Sequence, residues 1–214
     1  MAFDLEEQEK IEQLKAWWAR FGSLVTALLT VVLLAIIAYF AWGMYKNYRS
    51  EQALGYYDTI NMAVKNARPD ANDKARIQEA LSVLQKDYVG TAYPARASLV
   101  ASKYFVEKKD LAAAQQAVQW IISDSKETEL VPVAQLQLAA ILMDQNKFDE
   151  ALAQVANPTG DFKALFLDRQ ADILLAKGQK QEAIQAWKSA LNEKNLDPTF
   201  VRLMEMKLNV LGGE

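Results

Sequence analysis

Between Arg20 and Lys46 lie twenty-five residues, 21–45, without a single charge. As a helix this run would be about 37 Å long at ~1.5 Å per residue, enough to cross a hydrocarbon core of ~30 Å with some tilt. Inside a bilayer, backbone N–H and C=O groups find no water, so helix is the only form open to a single segment. Amphipathic rings flank the run: Trp17, Trp18 and Phe21 before it, Tyr39, Phe40, Trp42, Tyr45 and Tyr48 at its far end. Rings of this kind settle at headgroup level, so Trp17, Trp18, Trp42 and Tyr45 are candidate membrane-interface or partner-docking residues. A core helix of a soluble protein is rarely apolar on every face over such a length. A cleaved signal peptide would have a short basic start and an apolar core of ~7–15 residues, whereas here an acidic segment of twenty residues comes first. The run therefore predicts an uncleaved transmembrane helix in a lipid bilayer.

Lys10, Lys15 and Arg20 precede the span, and Lys46 and Arg49 follow it closely. This small excess of positive charge places residues 1–20 in the cytoplasm and exports the rest. Within the tail, Ile11, Leu14, Trp18 and Phe21 recur at i, i+3, i+7 and i+10, while Glu6, Glu7, Glu9, Glu12 and Gln13 fill other positions. Two readings stay open. Such a helix can lie along the inner leaflet before turning into the span, or it can dock on another membrane protein.

Beyond Lys46, apolar residues recur at three and four rather than two, which predicts an all-α body over residues 46–214. Breaks fall at residues 68–70, 90–94, 123–132, 157–160, 177–178 and 192–198, dividing it into paired helices. Residues 75–80, 109–114, 147–151 and 180–183 share one pattern and close on Ala80, Ala114, Ala151 and Ala183, spaced 34, 37 and 32 apart. A period near 34 is that of the tetratricopeptide repeat. Two antiparallel helices approach closely only where small residues meet. Ser102, Ala139 and Ala171 supply those residues on the first helices, and the four alanines supply them on the second. The first helix is expected to run from Lys46 through Val64, carrying Leu54, Tyr57, Ile60 and Val64 inward. At the other end Asp197 and Pro198 signal a helix start. Phe200, Leu203, Met204, Leu208 and Leu211 would form the apolar face of a capping helix; a partner groove is the alternative for Met204 and Met206.

The chain has neither Cys nor His. Disulfides, Cys/His metal sites and His-dependent triads are therefore impossible. A net charge of -3 offers no electrostatic case for nucleic acid. Asp144, Asp149, Glu150 and the Asp168/Asp172 pair are ordinary for solvated helices, and no glycine-rich phosphate loop is present. No catalytic residue, metal or cofactor is expected.

The tail at residues 14–18, the single span, and the segments at residues 90–99, 174–187 and 204–209 resemble the YfgM family of inner-membrane proteins. The likeness covers essentially the whole chain. It implies a single-pass protein of the bacterial inner membrane, with its N-terminus cytoplasmic and a tetratricopeptide-like domain in the periplasm. It further implies an ancillary, non-catalytic subunit of the Sec translocon. Its partners would be translocon subunits, a membrane-anchored chaperone of the PpiD type, and unfolded exported proteins. A scaffold for another cell-envelope assembly, such as cell-wall, secretion or outer-membrane machinery, is the alternative function.

Tetratricopeptide arrays bind extended segments along the face lined by the first helix of each repeat. Carried onto this chain, the groove positions are Arg96, Leu99, Lys103 and Glu107 in one helix. Val133, Leu136, Met143 and Asp144 follow in the next, with Asp168 and Asp172 in the last, joined by Leu165 and Leu175. Mixed charge here supplies no basic clamp for a C-terminal carboxylate, and apolar contacts rimmed by charge suit weak capture of unfolded segments.

Overall fold

The computed structural model describes residues 3–66, 72–157 and 160–212. The breaks at residues 68–70 and at Pro158 lie at least partly outside them. Among the described residues the regular structure is helical. Contacts divide the chain into two units, residues 1–49 and 50–214.

The described residues of the first unit lie within α1 (Phe3–Lys65), an uninterrupted helix. Its residues 24–42 expose their apolar side chains almost all round, from Leu24 and Leu28 to Phe40 and Trp42. This is the surface of a helix whose solvent is lipid. By length and composition it can cross a membrane. The helix also differs from one of the tail readings: no turn separates the tail stripe from the span.

The second unit begins with the end of α1, where Ala53 and Ile60 are buried and Tyr57 and Val64 half-buried. Leu54, expected inward, is exposed, because Ala53 occupies the buried position in its place. Helix pairs follow: α2 (Asp73–Asp87), α3 (Tyr93–Glu107) with α4 (Leu111–Asp124), α5 (Val131–Asp144) with α6 (Phe148–Gln154), and α7 (Lys163–Ala176) with α8 (Lys180–Leu191). The last helix, α9 (Pro198–Val210), packs on α8. Ser102, Ala139 and Ala171 on the first helices of these pairs are fully buried, as are Ala114, Ala151 and Ala183 on the second. The small residues thus sit where close helix packing needs them.

One turn geometry recurs in all three pairs. Lys109, Asn146 and Gly178 adopt positive φ of 60°, 60° and 86°. Each donates its N–H to the carbonyl three residues back: Val106, Met143 and Leu175. The next residue in each case (Asp110, Lys147, Gln179) donates to the carbonyl five back. This is the Schellman ending, in which a left-handed residue satisfies helix-terminal carbonyls. Asp110 then caps α4, accepting from Ala113 N at 3.1 Å, while Lys74 reaches it at 2.6 Å. Those two contacts, Lys74 first, hold the Asp110 carboxyl below the usual carboxylate range.

Glutamines stitch neighbouring pairs. Gln85 donates to Ser98 Oγ at 2.9 Å, Gln137 to Ser102 Oγ at 3.2 Å, and Gln145 to the Gln115 side chain at 3.2 Å. Buried residues form a large core from α1 to α7 and a smaller one over α7, α8 and α9. Helix α7 serves both, giving Phe166 and Ile173 to the first and Leu167, Ala171 and Leu174 to the second.

The shared turn makes a stability prediction. Gly178→Ala is expected to lower unfolding stability by about 1–2 kcal/mol, the cost of a Cβ in left-handed backbone. Lys109→Gly should raise it by roughly 0.5 kcal/mol, and Asn146→Gly should change it less because Asn tolerates this region. Denaturant unfolding followed by circular dichroism measures all three.

Candidate interaction surfaces

The groove positions are distributed unequally between core and solvent. Arg96, Lys103, Glu107 and Asp144 are exposed. Arg96 is tied to Glu127 at 2.6 Å and to the carbonyl of Ala92. Leu99, Leu136 and Met143 are half-buried and pack against the larger core, and Val133 is half-buried on α5. Leu99, Leu136 and Met143 are therefore brought together mainly through the core beneath them, whereas Leu165 and Leu175 are exposed.

Asp168 and Asp172 belong to a network that the sequence reading missed. Lys207, from α9, donates to Asp168 Oδ1 and Asp172 Oδ1, both at 2.7 Å. Trp187 donates its indole N–H to the same Asp168 oxygen at 2.8 Å, and the Lys207 ammonium lies 5.4 Å from the Trp187 ring centroid. Arg169 approaches Asp172 at 4.0 Å. The fully buried Trp187 ring stabilises this end by about 4–6 kcal/mol at ~25 cal/mol per Å². Its indole N–H would cost ~1–3 kcal/mol if left unbonded, which Asp168 prevents.

Two carboxylates share one ammonium here. Burial pushes the Asp172 carboxyl up, and Asp168 adds to that push against the hydrogen bond from Lys207. Burial alone would lower the Lys207 ammonium, but the hydrogen bonds to Asp168 and Asp172 outweigh it and raise it above its ordinary value. The only signal in the sequence was a cation on the supposedly apolar capping helix, with two carboxylates one turn apart on α7.

Helix α9 also departs from its expected single apolar face. Asp197 caps it, accepting from Thr199 N at 2.8 Å and Phe200 N at 3.2 Å. Met204 and Leu208 face the smaller core. Leu203, expected with them, is instead 47% exposed, joining Met206 at 60% and Val210 at 85%. Helix geometry explains the split: 203, 206 and 210 form one stripe, and 200, 204, 208 and 211 another. The outer stripe, with Asp172, Leu175, Trp187, Lys207 and Leu211, lines a cleft of about 410 Å³.

In the first unit, Trp17, Trp18, Trp42 and Tyr45 are all exposed. Trp17 stacks at a tilt against Trp18 and Phe21, with centroids 6.3 and 5.7 Å away, and Trp42 pairs with Tyr45 at 5.9 Å. Arg20 lies over Phe21 and Arg49 over Tyr45. Each end of the apolar run thus has rings beside a cation, the pattern of a headgroup boundary.

These features define a single-span helical protein whose body is an array of antiparallel helix pairs. The chain belongs to the tetratricopeptide repeat-like domain family, which matches residues 15–213. Curated relatives match it end to end. A protein of Neisseria gonorrhoeae is 29% identical over 212 residues, covering 99% of this chain and 100% of its own. One of Haemophilus influenzae is 28% identical, with 99% and 100% covered, and one of Escherichia coli is 28% identical, with 96% of each. All three are named ancillary SecYEG translocon subunits. No solved structure matches the chain.

The shared ammonium can be tested directly. Lys207→Ala leaves two half-buried carboxylates facing each other and is expected to cost about 1–3 kcal/mol. Adding Asp168→Asn and Asp172→Asn together should recover much of that loss in urea unfolding. The pH dependence follows from the raised Lys207 ammonium. Its stabilisation is fully present below the unfolded value of 10.5 and lost as pH rises through the higher folded one. The wild type should therefore weaken more steeply than Lys207→Met as pH rises above about 10.5.

Proposed function

We propose that the protein is a non-catalytic, single-pass subunit associated with the Sec translocon of the bacterial inner membrane. Residues 1–20 form a cytoplasmic tail, 21–45 the span, and 46–214 a periplasmic tetratricopeptide-like domain. The observation that carries this reading is the end-to-end likeness to proteins named ancillary SecYEG translocon subunits. The exposed apolar surface of α1 and the paired-helix body agree with it. Without Cys or His in the chain, contact rather than chemistry is the work such a body does.

Two kinds of surface divide that work. Trp17, Trp18, Trp42 and Tyr45 set the span at the membrane boundaries, where it meets translocon subunits. In the periplasm a membrane-anchored chaperone of the PpiD type and unfolded exported chains contact the repeat face. Arg96, Leu99, Lys103, Glu107, Val133, Leu136, Met143 and Asp144 supply mixed contacts there, and Asp168 and Asp172 close its C-terminal end beside the α9 cleft. Leu, Met and Val side chains at that cleft suit apolar segments of varied sequence, because contacts of this kind impose little geometry.

Photo-crosslinking amino acids at Trp17 and Trp42 in native membranes test the association. Adducts to channel subunits are expected at both positions, and their absence would sink the reading. Affinity purification from mildly solubilised membranes should return the channel with the chaperone; recovery of cell-wall or outer-membrane machinery in their place would favour the scaffold function.

A further inference from the structure

The tail carries an apolar stripe whose outer part lipid cannot reach. Ile11, Leu14, Trp17, Trp18 and Phe21 are all exposed on α1, and helix continues without a break from Phe3 into the span. An in-plane helix needs a turn before the membrane, and none exists. Phe21 is the first residue of the uncharged run. At ~1.5 Å per residue, Leu14 stands about 10 Å and Ile11 about 15 Å outside it along the helix. The headgroup layer is only roughly 5–8 Å deep on each side. Trp17, Trp18 and Phe21 can sit in that layer, but Leu14 and Ile11 project beyond it.

Charge decides what covers them. Glu7 lies one turn before Ile11 and is exposed, so the stripe continues into a carboxylate. The tail as a whole carries five carboxylates against three cations. An anionic inner leaflet would repel it, where each basic residue of an ordinary anchor contributes ~1 kcal/mol of attraction. A second copy is also disfavoured. Two copies inserted the same way would align like with like and place Glu7 against Glu7 along the seam.

We propose that the Glu7–Ile11–Leu14–Trp18 stripe docks on a cytoplasmic helix or groove of a different membrane protein, one that offers apolar side chains to Ile11 and Leu14 and a Lys or Arg to Glu7. The proposal rests on the tail being cytoplasmic, as in the function above. Ala16 and Glu12 lie on the opposite side of the helix and stay in water.

The chain has no cysteine, so a single introduced thiol is the only one it carries. Leu14→Cys and Ala16→Cys, each in the full-length protein at its native expression level, are treated with a membrane-impermeant maleimide. Inverted native membrane vesicles are compared with proteoliposomes holding the purified protein alone. The expected result is slow labelling at position 14 in native vesicles, at least about tenfold below position 16, and fast labelling at both positions in proteoliposomes. Adding Glu7→Lys should bring position 14 close to the rate of position 16 in native vesicles. Equal labelling of both positions in native vesicles overturns the docking. Protection of position 14 in proteoliposomes overturns it in favour of lipid, or of a second copy if an oxidant links two Leu14→Cys chains there. No effect of Glu7→Lys overturns the basic partner. Reaction of Ala16→Cys only in right-side-out vesicles overturns the orientation itself, and the proposal with it.

Discussion

Two helices can lie close along their length only where neither presents bulk, and the body of this protein is arranged around that restriction. Ser102 and Ala114, Ala139 and Ala151, and Ala171 and Ala183 are all buried at the places where paired helices meet. Larger residues flank them, such as Phe105, Leu142 and Trp187, and fill the volume the small ones leave. Close packing of this kind tolerates little added volume. It also fixes where each turn must fall, so the same left-handed ending recurs behind each first helix whether the residue is Lys109, Asn146 or Gly178.

A repeat array must end somewhere, and here the last pair is closed by polar as well as apolar contacts. Met204 and Leu208 seal the smaller core, while Lys207 joins the two carboxylates of α7 and Trp187 adds its indole N–H. This arrangement restricts α9 in a way that apolar burial alone would not, because hydrogen bonds specify position where hydrophobic contact specifies only proximity. The outer stripe of α9 is left uncovered beside it, giving the terminal helix a structural face and an available one.

The span, the all-α body and the paired alanines were legible in the sequence because each follows from a local rule: absence of charge, periodicity, and spacing. Asp197 and Pro198 marked the start of α9 for the same reason. What was not legible depends on residues far apart or on exact rotation. Lys207 meets Asp168 and Asp172 across more than thirty residues, which no local pattern encodes. Leu54 and Leu203 were placed inward by an approximate period, yet small rotational offsets turn them outward. The positive φ at Lys109 also leaves no trace in residue type, unlike Gly178, because the fold imposes a conformation that lysine does not favour. Continuity of the tail with the span depended on the absence of any breaker between them, a negative signal that left both readings of the tail open.

The two-sided burial of α7 has a consequence for the order in which the body can be completed. The residues of the larger core all precede α8 in the chain, so they are in hand before α8 and α9 leave the ribosome or the channel. A chain delivered end-first can close that core while Ala171, Leu167 and Leu174 still face water. Helices α8 and α9 then add as a separate event, on a surface of α7 already held rigid by its other side. For a chain that must itself be threaded through a membrane, such vectorial assembly confines the last unfinished surface to one helix.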